Sequence, residues 1–241
     1  MDIKSDFQDR FVETRQGAVH LKYHQGEGPG LILLHGLGSS VRTWTPMLPF
    51  LRPELTVCMI DLLGHGKSDA PRIAYTVDVQ VQVVADVADK MDMHQPCVFG
   101  HSYGGWIAAR YAIYDSVKKL VLEDSAGLAS TLAGMPDGKK QDIEKAMLKN
   151  PLFSNEDPYV MKSILDSEMA GLGLLSEEDL AMIRVPSLVI WGEDDDILDH
   201  GQAQEFANGI SGSRVEIVKG AMHVPHFTHP KEVASMLLTF I

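Results

Sequence analysis

The stretch from Pro96 to Ala112 restricts the fold more than any other part of this chain. The apolar run Pro96-Cys97-Val98-Phe99 leads into Gly100-His101-Ser102-Tyr103-Gly104. That turn leads directly into Trp106-Ile107-Ala108-Ala109-Arg110-Tyr111-Ala112. The order is strand, sharp turn, helix. A serine on such a turn must take a strained, left-handed backbone at a cost of about 1–3 kcal/mol. Glycine at minus two and plus two leaves room for strand and helix to close on each other. The hydroxyl is lifted clear of its neighbours, and the helix N-terminus lies beneath it.

The same alternation recurs along the chain. Leu31-Ile32-Leu33-Leu34, Leu55-Thr56-Val57-Cys58-Met59-Ile60, Lys119-Leu120-Val121-Leu122 and Ser187-Leu188-Val189-Ile190-Trp191 are continuous apolar runs. Such runs fit parallel strands buried on both faces. Val215-Glu216-Ile217-Val218 reads as a further strand. Phe11 to Thr14 and Ala18 to Tyr23 read as a hairpin turning at Gln16-Gly17. Helices are expected near Trp44 to Leu51, over 77–91 behind the cap candidate Thr76, and over 231–240. Between about Gly127 and Arg184 strand-like runs vanish and helical patterns appear near 140–149, 158–170 and 176–184. The expected fold class is α/β: a mostly parallel twisted sheet with helices on both faces and an inserted helical cap. The division is core 1–126, cap 127–184 and core 185–241, with the cap over the carboxyl ends of the strands, where such sheets bind ligands.

Composition sets outer limits. The 241 residues suffice for one α/β domain with an insertion, and 45% hydrophobic with 22% charged residues is ordinary for a globular protein. A net charge of −12 argues against nucleic acid and anionic lipid as partners. No run approaches the length of a membrane span. Met1 to Asp6 lacks the features of a signal peptide, so a cytoplasmic location is expected. Cys58 and Cys97 fall in strands separated by one other strand, about 10 Å apart, which predicts two free buried thiols.

Serine alone is a poor nucleophile at neutral pH. It needs a base, and the base needs an orienting acid. A G-x-S-x-G turn between strand and helix requires those partners to follow later strands in the order acid, then histidine. Gly192-Glu193-Asp194-Asp195-Asp196 follows one such strand, and Lys219-Gly220-Ala221-Met222-His223 follows the next. Together with Leu34-His35-Gly36-Leu37-Gly38 and the loop Leu62 to Asp69, these motifs resemble the α/β-hydrolase fold superfamily, in its capped branch, over nearly the whole chain outside the cap.

The resemblance implies Ser102 as nucleophile, His223 as general base and Asp195 as acid. Asp194 and Asp196 adjoin the last, and a minority of the family uses the position of Asp124. It also implies an oxyanion hole of the Leu37 and Tyr103 N–H groups. The activity expected is a carboxylesterase-type hydrolase cleaving esters of small to medium acyl chain through an acyl-enzyme. The alternatives are a C–C bond hydrolase of ring-fission products, a lactonase, and a non-enzymatic small-molecule receptor. Serine at the elbow, where haloalkane dehalogenases and epoxide hydrolases carry aspartate, disfavours those chemistries. The short loop after Leu37 and Val224 after the histidine lower the C–C reading.

Trp44, Trp106, Met135, Met147, Met161 and Val224 are candidate pocket walls, methionine being suited to irregular apolar space. His35 and His101 are expected to pack and hydrogen-bond under the site, and Asp61 to shape its turn. His223, His226 and His229 repeat by three, but Pro225 and Pro230 break the helix that would align them, so no metal is expected. No cofactor is expected either. The partner is a small-molecule ester, and the sequence is compatible with a homodimer.

Overall fold

A computed structural model describes residues 6–132, 136, 138, 141–142, 145 and 157–241. Two strands, β1 (Gln8–Thr14) and β2 (Gly17–His24), form an antiparallel hairpin, and β2 continues antiparallel onto β4 (Thr56–Ile60). From there every pairing is parallel, through β3 (Gly30–Leu34), β5 (Cys97–His101), β6 (Lys119–Glu123), β7 (Ser187–Gly192) and β8 (Arg214–Val218). The order across the eight-stranded sheet is β1-β2-β4-β3-β5-β6-β7-β8. β3 separates the two cysteine strands, and Cys58 and Cys97 are free and buried.

Strand alternation sends successive side chains to opposite faces. Ile32, Leu34, Val98, Leu120 and Leu122 pack on one face with helices α1 (Val77–Lys90) and α2 (Tyr103–Tyr114). Leu31, Leu33, Phe99, Val121 and Ile190 pack on the other with Trp44 and with Val233 and Leu237 of the C-terminal helix. Helix α1 starts as expected, the Thr76 side chain accepting the Val79 N–H.

The expected helix from Trp44 to Leu51 is instead two 3₁₀ turns, Val41–Trp44 and Leu48–Phe50. Pro46 and Pro49 explain the difference, because a proline inside a helix removes a donor and collides with the preceding turn.

Between β6 and β7 the described residues form helices α3 (Ala129–Leu132), α4 (Pro158–Met169) and α5 (Glu177–Met182). The expected helix near 140–149 lies largely outside the described residues. The chain just past β6 is tied to the stretch between α4 and α5. The Ala129 N–H donates to the Leu175 carbonyl, and the Leu175 N–H donates to the Gly127 carbonyl. Helix α6 (Gly201–Gly209), for which the sequence gives no strong signal, joins β7 to β8, and α7 (Pro225–Thr228) and α8 (Pro230–Phe240) end the chain. No helix among the described residues is long and apolar enough to cross a membrane.

Candidate active site

Ser102 follows the last residue of β5 and precedes the first of α2, with φ 53° and ψ −116°. The flanking glycines are sterically required. A Cβ on Gly100 would meet the Gly104 carbonyl oxygen at 2.1 Å, and one on Gly104 would meet the Leu34 carbonyl oxygen at 2.2 Å. Both obstacles are backbone, so no side-chain rotation relieves them. The strain at Ser102 is held by surrounding hydrogen bonds: its N–H donates to the Glu123 carbonyl, and its carbonyl accepts from Gly105, Trp106 and Ala126.

The parallel register aligns His101, Glu123 and Ile190 on β5, β6 and β7. The loops beyond them emerge at one edge of the sheet, and there the structure brings three distant side chains together. His223 Nε2 lies 3.0 Å from Ser102 Oγ, and His223 Nδ1 lies 2.9 Å from Asp195 Oδ2. The Asp195 side chain is fully buried and that of His223 is 9% exposed, so water competes little for either bond. Asp195 Oδ1 accepts the Ile197 and Leu198 N–H groups. Burial pushes the Asp195 carboxyl up, but the His223 imidazole and those two amides outweigh it and hold the group below the usual carboxylate range. Asp194 and Asp196, the adjacent candidates, are exposed. A hydroxyl, imidazole and carboxylate so linked can pass the hydroxyl proton to the ring and stabilise the imidazolium that forms.

A second polar layer supports the first. His101 Nε2 lies 2.7 Å from the His223 carbonyl oxygen and therefore carries the proton that bonds it. His35 Nε2 accepts the Leu62 N–H, and its Nδ1 lies 2.8 Å from the Gly36 carbonyl. Asp61 accepts the Val41 and Lys67 amides and so shapes its turn.

Sequence reasoning missed the pair Glu123–His226, both fully buried. Glu123 Oε1 accepts the His226 backbone N–H at 2.8 Å, its Oε2 bonds His226 Nδ1, and His226 Nε2 lies 2.8 Å from Thr43 Oγ1. Trp44 stacks on His226 with ring centroids 4.1 Å apart. The available signal was a glutamate continuing an apolar run in a strand buried on both faces. Such a group needs a buried partner.

Burial pushes the imidazoles of His101 and His226 down to about 3, favouring their neutral forms. It pushes the Glu123 carboxyl up to about 7. Asp124, the alternative acid, is pushed up to about 10 by burial and by the Glu123 and Asp195 carboxyls. Its Oδ1 accepts the Gly192 N–H at 2.8 Å.

Two groups of side chains, His101–Asp124–His223 and His101–Glu123–His226, bring donor atoms within 4.8 Å of one another. Their imidazole nitrogens are largely engaged. Both nitrogens of His223 serve Ser102 and Asp195, and both of His226 serve Glu123 and Thr43. A metal at either place would have to break those bonds.

Tyr103 opens helix α2, where the first N–H groups lack intrahelical partners. The approach of Gly36 to His101 and Ser102 brings the Leu37 loop to the same place: a Cβ on Gly36 would meet His101 Nδ1 at 2.9 Å.

The proposed pocket walls fare differently. Trp44, Trp106 and Met161 are essentially without exposed surface, which corrects the expectation that they face a ligand. Trp44 is held between His226 and Phe99, and the Trp106 Nε1–H donates to the Gly173 carbonyl. Val224 and Leu37 are half-buried. Met135 and Met147 lie outside the described residues. A cleft of about 910 Å³ runs beside the Gly38–Thr43 segment, lined also by Lys67, Asp157 and Phe227; Ser102 is not on its wall.

Comparison with known proteins finds relatives along most of the chain. A 2-hydroxy-6-oxo-6-(2'-aminophenyl)hexa-2,4-dienoic acid hydrolase of Metapseudomonas resinovorans is 28% identical, over 99% of this chain and 92% of that protein. A pimeloyl-[acyl-carrier protein] methyl ester esterase of Vibrio vulnificus is 27% identical, over 90% and 95%. The crystal structure of the enol-lactonase from Burkholderia xenovorans LB400 superposes with a TM-score of 0.80 at 20% identity, over 96% of this chain and 99% of that one. The model of the Alpha/beta hydrolase family matches residues 31–236, from the first parallel strand into the last helix, and to that family the chain belongs.

Proposed function

We propose that this chain hydrolyses carboxylic esters of small to medium acyl chain through an acyl-enzyme on Ser102. One observation carries the reading: the unbroken hydrogen-bonded line from Ser102 Oγ through His223 to the buried Asp195, on a strained turn. His223 Nε2 takes the hydroxyl proton as Oγ attacks the ester carbonyl, while Asp195 holds Nδ1–H and the tautomer. The oxyanion is met by the Leu37 and Tyr103 N–H groups, each such donor being worth roughly 10²–10³ in rate. His223 then gives its proton to the departing alcohol. In the second half it takes a proton from water, which attacks the acyl-enzyme and releases the acid. Residues 127–184 act as the cap over this edge, and Leu37 and Val224 are the half-buried apolar groups offered to the acyl chain. The ester name of the Vibrio vulnificus relative supports the same reaction class.

A second reading is C–C bond hydrolysis of a ring-fission diketone. It is supported by the name of the Metapseudomonas resinovorans relative, whose similarity extends over 99% of this chain. A panel of p-nitrophenyl esters of increasing acyl length, with lactones and a ring-fission diketone alongside, separates the two. Short and medium esters are expected to turn over fastest, and Ser102→Ala to lose about 10³-fold or more. A strong preference for the diketone would overturn the ester assignment. Tight ligand binding with negligible turnover would overturn the enzyme.

A further inference from the structure

Glu123 stands where three parts of the candidate site meet. It ends β6 in register with His101, the residue before the nucleophile. Its backbone carbonyl accepts the Ser102 N–H. Its carboxyl oxygens bond the backbone N–H and Nδ1 of His226, three residues beyond His223. From the far side of that ring, Nε2 bonds Thr43 Oγ1 at 2.8 Å. Thr43 belongs to the short turn Val41–Trp44, which ends the segment that starts at Leu37. One line of hydrogen bonds thus joins the nucleophile turn, the loop of the base and the segment of the proposed oxyanion donor.

Stability alone does not account for a buried Glu–His pair. Replacing such a pair by well-packed apolar side chains is often neutral or stabilising. What a hydrogen bond adds is direction. The Leu37 segment is pinned at its start, where Gly36 lies against His101 and Ser102. At its end Val41 and Trp44 are buried, and Trp44 stacks on His226. Apolar contact is non-directional, so it fixes burial and not register. Two directional bonds fix the register. The Val41 N–H donates to Asp61 Oδ1 at 2.7 Å, which ties the segment to the end of β4. The Thr43–His226 bond ties it to the loop that carries the base.

We propose that Thr43, His226 and Glu123 are positioning residues for the reaction, a brace that sets where the Leu37 amide stands against Ser102 and His223. None of the three touches a reacting atom. Losing the Thr43 hydroxyl leaves Glu123 and His226 paired but lets the segment slide along the Trp44–His226 stack. A misplacement near 1 Å costs on the order of 10² in rate, so a slide of part of that distance costs about tenfold.

The inference rests on the serine-hydrolase reading, and its test separates the two. Hydrolysis of p-nitrophenyl acetate and urea unfolding are measured for the wild type, Thr43→Val, Thr43→Ser and Ser102→Ala. Thr43→Val keeps the shape and removes the hydroxyl. It is expected to lower kcat about tenfold and to keep KM within about twofold. Thr43→Ser restores the hydroxyl and is expected to recover kcat to within about threefold of wild type. The acid limb of the pH–rate profile, which reports the base, should stay where the wild type has it. A purely structural Thr43 would move the urea midpoint and leave the kcat of the folded protein unchanged, and that result overturns the proposal. So would an equal loss in Thr43→Val and Thr43→Ser, or a displaced acid limb, which would put the effect in the base. Should Thr43→Val fail to fold, Thr43→Ala takes its place. Undiminished turnover by Ser102→Ala would refute the underlying reading instead.

Discussion

Replacing Gly104 by alanine tests whether the two halves of the proposed oxyanion site are held by one contact. The added Cβ would lie 2.2 Å from the Leu34 carbonyl oxygen and 2.6 Å from that of His35. Carbon and oxygen do not approach closer than about 3 Å without severe repulsion, so helix α2 must move away from β3 by roughly 0.8 Å or more. Tyr103, immediately before position 104, travels with the helix, and Leu37 stays with the strand that ends at Leu34. The substitution therefore pulls apart the two amides assigned to the oxyanion while leaving Ser102, His223 and Asp195 chemically intact. A displacement near 1 Å costs on the order of 10² in rate, and the overpacked contact costs about 1–3 kcal/mol of stability. The assay is steady-state hydrolysis of a p-nitrophenyl ester, with urea unfolding in parallel. Gly138→Ala is the control, because a Cβ there meets nothing within 4 Å. The expected outcome is a fall in kcat at nearly constant KM for a protein that still unfolds cooperatively. A Gly104→Ala variant with wild-type kcat would refute the claim that this contact sets the spacing of the two donors.

Other outcomes follow from the buried polar layer. Glu123→Ala leaves the His226 backbone N–H and Nδ1 unpaired in a fully buried site. It should cost about 3–5 kcal/mol by urea unfolding, against less than about 0.5 kcal/mol for the exposed Glu193→Ala; equal costs would refute the role assigned to the pair. Stability should also fall on acidification. Burial holds His65, His101 and His226 down to about 3 and lowers His35 as well, whereas the unfolded chain protonates these rings from about pH 6.5 downward. The folded state then binds fewer protons, so stability present above that pH is lost as pH falls. Glu123 and Asp124, raised to about 7 and 10, act in the opposite sense. The lowered imidazoles outnumber the raised carboxyls, so the net effect between about pH 6 and 5 is a loss of stability as pH falls, and a urea midpoint unmoved over that interval would contradict it. Thr76→Ala removes the cap on helix α1 and should cost about 1 kcal/mol; an unchanged urea midpoint would show that the cap contributes nothing.

The parallel strands were legible because burial on both faces demands uninterrupted apolar runs, as at Leu31–Leu34 and Leu120–Leu122. The turn at Ser102 was legible because glycines at 100 and 104 are the sequence trace of a close backbone approach. The choice among Asp194, Asp195 and Asp196 was not local. It depends on which carboxyl the loop turns inward toward a histidine 28 positions away. The Glu123–His226 pair escaped for the same reason, each partner looking unremarkable until the fold brings them into contact across 103 positions. Trp44, Trp106 and Met161 were misjudged because large apolar side chains near a reactive group in sequence most often belong to the core behind it.

The short tie between Gly127, Ala129 and Leu175 gives the stretch between them a closed neck. Ser102, Asp195 and His223 all lie outside the stretch that this neck encloses. The stretch beyond it still reaches the rest of the protein through the Trp106 Nε1–H bond to the Gly173 carbonyl and through buried Val160 and Ile164, so an exchange there must keep those contacts to leave the strand ends in place. A graft that keeps those contacts should leave the rate of attack on a small activated ester close to its original value.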